Sequence, residues 1–257
     1  MKQDRRRFLK GLTAVSAAGS VPAGLVTGEA QAQHAHPKPA KAAAVLPQAY
    51  MYLTSPEVEF VEAAVARLIP ADELGPGAKE AGVAYFIDQQ LAGAWGAMAR
   101  NYRQGPWPEG TPQQGYQSPL TPKEVYRAAI PEVDAACVFR FQKPFAQLQA
   151  AQQDQVLTEL ETGKLALASL PGAFFFNLLL ANTIEGFFAD PIYGGNRDKI
   201  AWKLVGFPGV AASYGEYIGK HGVPYNAEPV SIADMQSHVV ATDEHGHPKH
   251  VLRAKVD

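Results

Sequence analysis

The segment from Pro171 to Phe188 constrains the fold more than any other stretch of this chain. Phe174, Phe175, Phe176, Leu178, Leu179, Leu180, Ile184 and Phe187 nearly encircle it once it is wound as a helix. A helix apolar on most of its sides belongs at the centre of a bundle, and Asn177, Asn182 and Glu185 on it need hydrogen-bond partners wherever they are buried. The rest of the chain supplies helices to surround it. Thr54-Ser55-Pro56-Glu57 is a start signal, with a hydroxyl cap, an early proline and an acid in the first turn. Val58, Val61, Val65 and Leu68 then recur at helical spacing until Pro70. Beyond the turn cluster at 71–77, a second helix runs from Ala78 to about Gly93 with Val83, Phe86, Ile87 and Leu91 on one side. Thr121-Pro122-Lys123-Glu124 is a capping box that opens a third; Pro131 breaks or restarts it before Val133, Cys137, Val138 and Phe141. Another runs from about Gln152 to Thr162 and closes at Gly163. Asp190 to Asn196 reads as a tight turn, and Ile200 to Val205 as a short helix or strand. The expectation is a mostly α fold, an irregular helical bundle with long Pro/Gly-rich loops.

Composition narrows the chemistry. With 257 residues and 47% hydrophobic content the chain can build one domain with a substantial core. Its single cysteine excludes a c-type haem attachment, a four-thiolate iron–sulfur cluster and a disulfide framework. Dinucleotide, P-loop, nucleophile-elbow and His-Glu-x-x-His motifs do not occur. A net charge of −2 lacks the basic surplus of a nucleic-acid binder. No apolar run reaches the roughly 18 residues of a spanning helix. The balance favours a partner protein over an enzyme with a site of its own, and catalytic, cofactor-binding and metal residues are expected to be none.

The N-terminus reads as an address. Arg5-Arg6-Arg7-Phe8-Leu9-Lys10 precedes a short apolar stretch and Ala30-Gln31-Ala32, the three regions of an export signal in order. Arg5, Arg6, Phe8, Leu9 and Lys10 resemble a twin-arginine signal, with Asp4 where Ser or Thr is usual, so the twin-arginine translocase is an expected partner and the periplasm the expected location. Removing 1–32 leaves 18 basic and 23 acidic residues, a mildly acidic chain. The expected organisation is a signal at 1–32, a flexible spacer at 33–52, a helical domain at 53–225 and a polar tail at 226–257.

Four features admit two readings each. Trp107 and Tyr116 lie in a stretch from Gln104 to Thr121 with four prolines and three glycines; they either anchor a partner or pack back on their own helices. Cys137 is either a buried thiol or an intermolecular bridge. Glu185 and Asp190, with Tyr193 and a Gly-Gly turn beside them, form either an acid/base pair or a helix end and its cap. His245, His247 and His250 either bind a metal or belong to a solvated tail. Trp107, Tyr116, Cys137 and Tyr193 are the candidate partner contacts.

Three blocks carry a family resemblance. They are Arg67-Leu68-Ile69-Pro70-Ala71-Asp72-Glu73 with Pro76-Gly77-Ala78, Ala81-Gly82-Val83 and Ile87-Asp88; Gly115-Tyr116-Gln117 with Phe145-Ala146-Gln147-Leu148 and Gln153 to Leu157; and Thr183 to Asn196 with Trp202 to Gly209. Together they resemble the small subunit, subunit 3, of membrane-bound gluconate 2-dehydrogenase. The resemblance implies a complex in which a large subunit carries FAD and oxidises a sugar or sugar acid, while a multihaem cytochrome c passes electrons on. It implies that this chain has no cofactor, binds the FAD subunit, supports its maturation and export, and meets the membrane only through the complex.

Overall fold

Two Thr-x-x-Glu starts set the frame. The computed structural model describes residues 49–108, 110–210, 217–225, 227–242, 244 and 248, all within the unit Ala44–Asp257. Glu57 accepts from the Thr54 N–H and hydroxyl, both at 2.7 Å, and opens α1, Ser55–Leu68. Glu124 does the same for Thr121 and opens α3, Pro122–Phe141. Each acid satisfies a backbone donor that the first helical turn leaves orphaned.

Helix α2, Val83–Ala92, starts five residues later than the periodicity suggests. Gly82 has φ 76, a left-handed conformation that no right-handed helix passes through, so Ala78 to Gly82 forms turns and the helix begins afresh. Pro131, by contrast, neither breaks nor restarts α3, which is one 20-residue helix. Pro131 faces solvent, where water can satisfy the carbonyl one turn back that loses its amide donor.

A 3-10 turn, Phe145–Gln147, leads into α4, Ala150–Glu161. Then come α5, Gly172–Phe188, α6, Ile200–Val205, and α7, Ile232–Gln236. The 200–205 segment is therefore helical. Among the described residues β pairing is limited to isolated bridges, and the fold is mostly α. No helix of the described residues is long and apolar enough to cross a membrane.

Helix α5 packs against α1, α2, α3 and α4. Its Phe175 lies in the wholly buried cluster with Phe60, Tyr126 and Phe145: Phe60 and Phe145 are 4.7 Å apart between ring centroids, and Tyr126 stands edge-on to Phe175 at 5.5 Å. Asn182 is buried on the same helix and accepts from the Tyr126 hydroxyl at 3.0 Å. The helix is not enclosed on every side, however. Asn177, Ala181, Ile184, Glu185 and Phe188 are exposed and fall at the i, i+4, i+7, i+8 and i+11 spacing of one face.

The segment expected to be a polar tail folds back over 227–239. Val230 donates to the Pro208 carbonyl at 3.0 Å and accepts from the Val210 N–H at 2.7 Å. Lys199 pairs with Asp234 at 2.7 Å, and Ala227, Val230 and Ser231 are buried.

Candidate functional site

The block Thr183 to Asn196 contains the acids and the Gly-Gly turn singled out by sequence. Its geometry is that of a joint. Gly186 lies inside α5, where a Cβ would sit 2.6 Å from Phe86 Cδ1, so α2 and α5 meet closely there. A Cβ on Gly194, at φ +95, would lie 2.6 Å from Tyr85 Cδ1, and a side chain on Gly195 would strike the Gly186 carbonyl. Asn196 is wholly buried at φ 44, a left-handed position that Asn tolerates. Its Nδ2 donates to the Ala189 carbonyl and its Oδ1 accepts from the Ala201 N–H, both at 2.9 Å. The Trp202 indole donates to the Phe188 carbonyl at 2.9 Å.

The two acids take separate partners. Asp190 caps the 3-10 turn at Pro191–Tyr193 by accepting from the Ile192 N–H at 3.0 Å. Its other oxygen accepts from the Ile232 N–H at 2.8 Å, so it also ties down α7. Glu185 is exposed and accepts from Asn182 Nδ2 at 3.2 Å. Tyr193 is 53% exposed and lines a cleft of about 360 Å³ with Tyr85, Gln89, Gln90 and Ile192.

A second constellation has no counterpart among the candidate residues of the sequence. Asp88, wholly buried on α2, accepts from three consecutive backbone N–H groups, those of Met51, Tyr52 and Leu53, at 2.7, 2.9 and 2.8 Å. Arg127 donates to the Tyr52 carbonyl at 2.8 Å, stacks over the Tyr52 ring at 4.5 Å and pairs with Glu57 at 2.5 Å. Tyr50 donates to Glu62 at 3.1 Å, and burial together with that carboxylate pushes its phenol up to about 12. The strap from Tyr50 to Leu53, which leads out of the expected spacer, is thus bolted to α1, α2 and α3 by side chains.

The other candidate partner contacts divide. Tyr116 packs edge-on against Phe174 at 5.4 Å and donates to the Leu120 carbonyl at 2.7 Å; burial pushes its phenol up to about 12. Trp107 is 42% exposed, with the Arg103 guanidinium 5.2 Å from its ring. Cys137 is a free, buried thiol, and burial, then Asp134, pushes it up to about 11. Ile184, which the sequence reading counted in the encircling apolar set, is exposed, and so is Phe188 beside it; the small or polar Asn177 and Ala181 on the same face were the available signal. Among the described residues no three His, Cys, Asp or Glu side chains gather as a metal site. Arg5, Arg6, Phe8, Leu9, Lys10, His245, His247 and His250 lie outside the described residues.

Comparison with curated proteins and with solved structures found no match. A family model does match: that of gluconate 2-dehydrogenase subunit 3, over residues 55–209. The match spans more than half of the chain and ends at Gly209, in the turn after α6, taking in the α1 start, α2, the 104–121 loop and the whole Gly186–Asn196 joint. The chain belongs to the gluconate 2-dehydrogenase subunit 3 family.

Proposed function

We propose that this chain is the non-catalytic small subunit of a flavin-dependent sugar or sugar-acid dehydrogenase complex of the gluconate 2-dehydrogenase type. It binds the FAD-containing large subunit, supports its maturation and carries it through the twin-arginine translocase to the periplasm. There the complex meets a multihaem cytochrome c at the membrane face. FAD and haem c belong to the partner subunits. The family match over 55–209 is the observation that carries this reading. Two further features support it. The polar groups of the motif joint (Asp190, Asn196, Trp202) are occupied by backbone partners, which leaves them to hold elements together. The strap at Tyr50–Leu53, held by side chains of α1, α2 and α3, fixes where the folded body meets the segment that carries the expected export signal.

The test is to replace Arg5 and Arg6 by Lys in cells that make the whole complex, and to assay periplasmic dehydrogenase activity and flavoprotein location. The flavoprotein, with its FAD, should stay in the cytoplasm. A flavoprotein that still reaches the periplasm while this chain alone is held back would remove the escort role.

A further inference from the structure

The segment 227–239 lies outside the matched residues 55–209, yet it is fastened to groups inside them. The Val230 N–H donates to the Pro208 carbonyl at 3.0 Å, and its carbonyl accepts from the Val210 N–H at 2.7 Å, a parallel bridge with Gly209. Gly209, at φ +76, has no room for a side chain: a Cβ there would strike the Val230 carbonyl and lie 2.8 Å from Trp202 Cζ3. The Pro208–Val210 edge is thus held between the segment and the Trp202 ring. Two side chains of the body add to this. Asp190 accepts from the Ile232 N–H at 2.8 Å, and Lys199 donates to Asp234 at 2.7 Å.

These contacts are those of a cover. Trp202, Ala227 and Val230 are buried, but they do not belong to the apolar cluster that forms the core of the helical body. No residue of α7 is buried. A segment with few buried apolar contacts, fastened by polar groups near solvent, falls at the low end of local stabilities. Lys199 also makes its pair from φ 58, a left-handed position that is costly for lysine, so backbone strain offsets part of what the pair contributes.

We propose that 227–239 is a releasable clasp: it opens as a unit while the helical body stays folded, and frees the Pro208–Val210 edge for an extended acidic segment of another chain. The clasp itself defines what that segment must carry. One residue pairs its N–H and carbonyl with Pro208 and Val210, a backbone N–H two residues on meets Asp190, and a carboxylate four residues on meets Lys199. Addition of a strand to a free edge takes its affinity from main-chain hydrogen bonds and its selectivity from such side groups. A basic residue in the place of Asp234 would face Lys199, which selects against basic segments. While the clasp is closed the edge is taken, so the same contacts are autoinhibitory.

The experiment uses the full chain and amide hydrogen exchange followed in ¹⁵N spectra. In wild type, Val210, Val230 and Ile232 should exchange together, and faster than the amides of α1, α3 and α5. Ile232→Pro removes the N–H that Asp190 holds and spares α7, because 232 is its first helical position and Ser231 before it is extended at ψ 164. Exchange at Val210 and Val230 should then rise at least about tenfold, as for loss of a hydrogen bond to a charged group, with the α1, α3 and α5 amides and the thermal melt unchanged. Lys199→Met should raise the same two amides. A fluorescein-labelled peptide of residues 227–237 should bind the Ile232→Pro chain saturably, and at least about tenfold more tightly than wild type; the same peptide with Asp234→Lys should not bind. Exchange at Val210 and Val230 that keeps pace with the core amides, or that neither substitution changes, would make 227–239 a fixed part of the fold and overturn the proposal. So would a thermal melt lowered by both substitutions. Absence of saturable binding to the Ile232→Pro chain, or equal binding by the Asp234→Lys peptide, would remove the docking edge.

Discussion

Asp88 bears on a question of burial. A carboxylate wholly out of solvent is costly unless hydrogen bonds replace the lost water, and here three consecutive backbone donors do so. Replacing Asp88 by Ala removes all three acceptor contacts and leaves those N–H groups facing an empty space. The expected loss is roughly 3–5 kcal/mol in denaturant unfolding, near the top of the range for single substitutions. Asp88→Asn keeps the shape and one acceptor oxygen but turns an NH₂ towards the strap, so it should cost less. Hydrogen exchange at Met51, Tyr52 and Leu53 should quicken in both variants, well before the core amides respond; unchanged exchange there would show that the strap is held by other means. Sequence could not reveal this arrangement. Asp88 stands next to the apolar stripe of α2, and its partners lie 35–37 residues earlier in a stretch with no periodicity. Asn196 was equally silent, because only the fold shows that its two amide groups bridge Ala189 and Ala201.

At the scale of elements, the helices that were legible are those with local start signals. Thr54 with Glu57 and Thr121 with Glu124 bond across three residues, so their geometry is encoded locally. The start of α2 was misplaced because the apolar pattern continues across Gly82, and a left-handed φ leaves no trace in hydrophobic spacing. The open face of α5 was not placed for a related reason: composition says how apolar a helix is, whereas neighbours decide which side stays open. Gly186 shows what neighbours demand. Ala normally improves a helix by about 1 kcal/mol over Gly. At 186 the added Cβ would lie 2.6 Å from Phe86 Cδ1 and 3.1 Å from Val83 Cγ1, and a core ring that is 7% exposed has little room to withdraw. Overpacking of this kind costs about 1–3 kcal/mol, so Gly186→Ala should destabilise despite its propensity. Combining it with Phe86→Leu should recover part of the loss in a double-mutant cycle; additive losses would place the strain elsewhere.

At the scale of the whole molecule, the end of α5 that enters the Gly186–Asn196 joint carries exposed apolar side chains, with Glu185 exposed between them. Ile184 and Phe188, 45% and 41% exposed, are one helical turn apart on α5. The Phe188 carbonyl is fixed by Trp202, and the Trp202 ring in turn meets Phe207, itself 47% exposed, at 5.2 Å. Leu204 and Val205 on α6 are exposed as well. Scattered apolar residues on a surface mean little, but residues on one face of a rigid helix, backed by a buried indole, are the makings of an interface core. Such a surface gains from burial against a partner and loses little order in doing so, since its backbone is already held. The expectation is that Ile184→Glu with Phe188→Glu leaves the unfolding midpoint within the small range typical of surface changes. The same pair should reduce recovery of the flavoprotein with this chain at least about tenfold, by placing two charges in a desolvated contact. Recovery at the wild-type level would assign the interface to another face, and a lowered midpoint would show that Ile184 and Phe188 serve the fold of this chain.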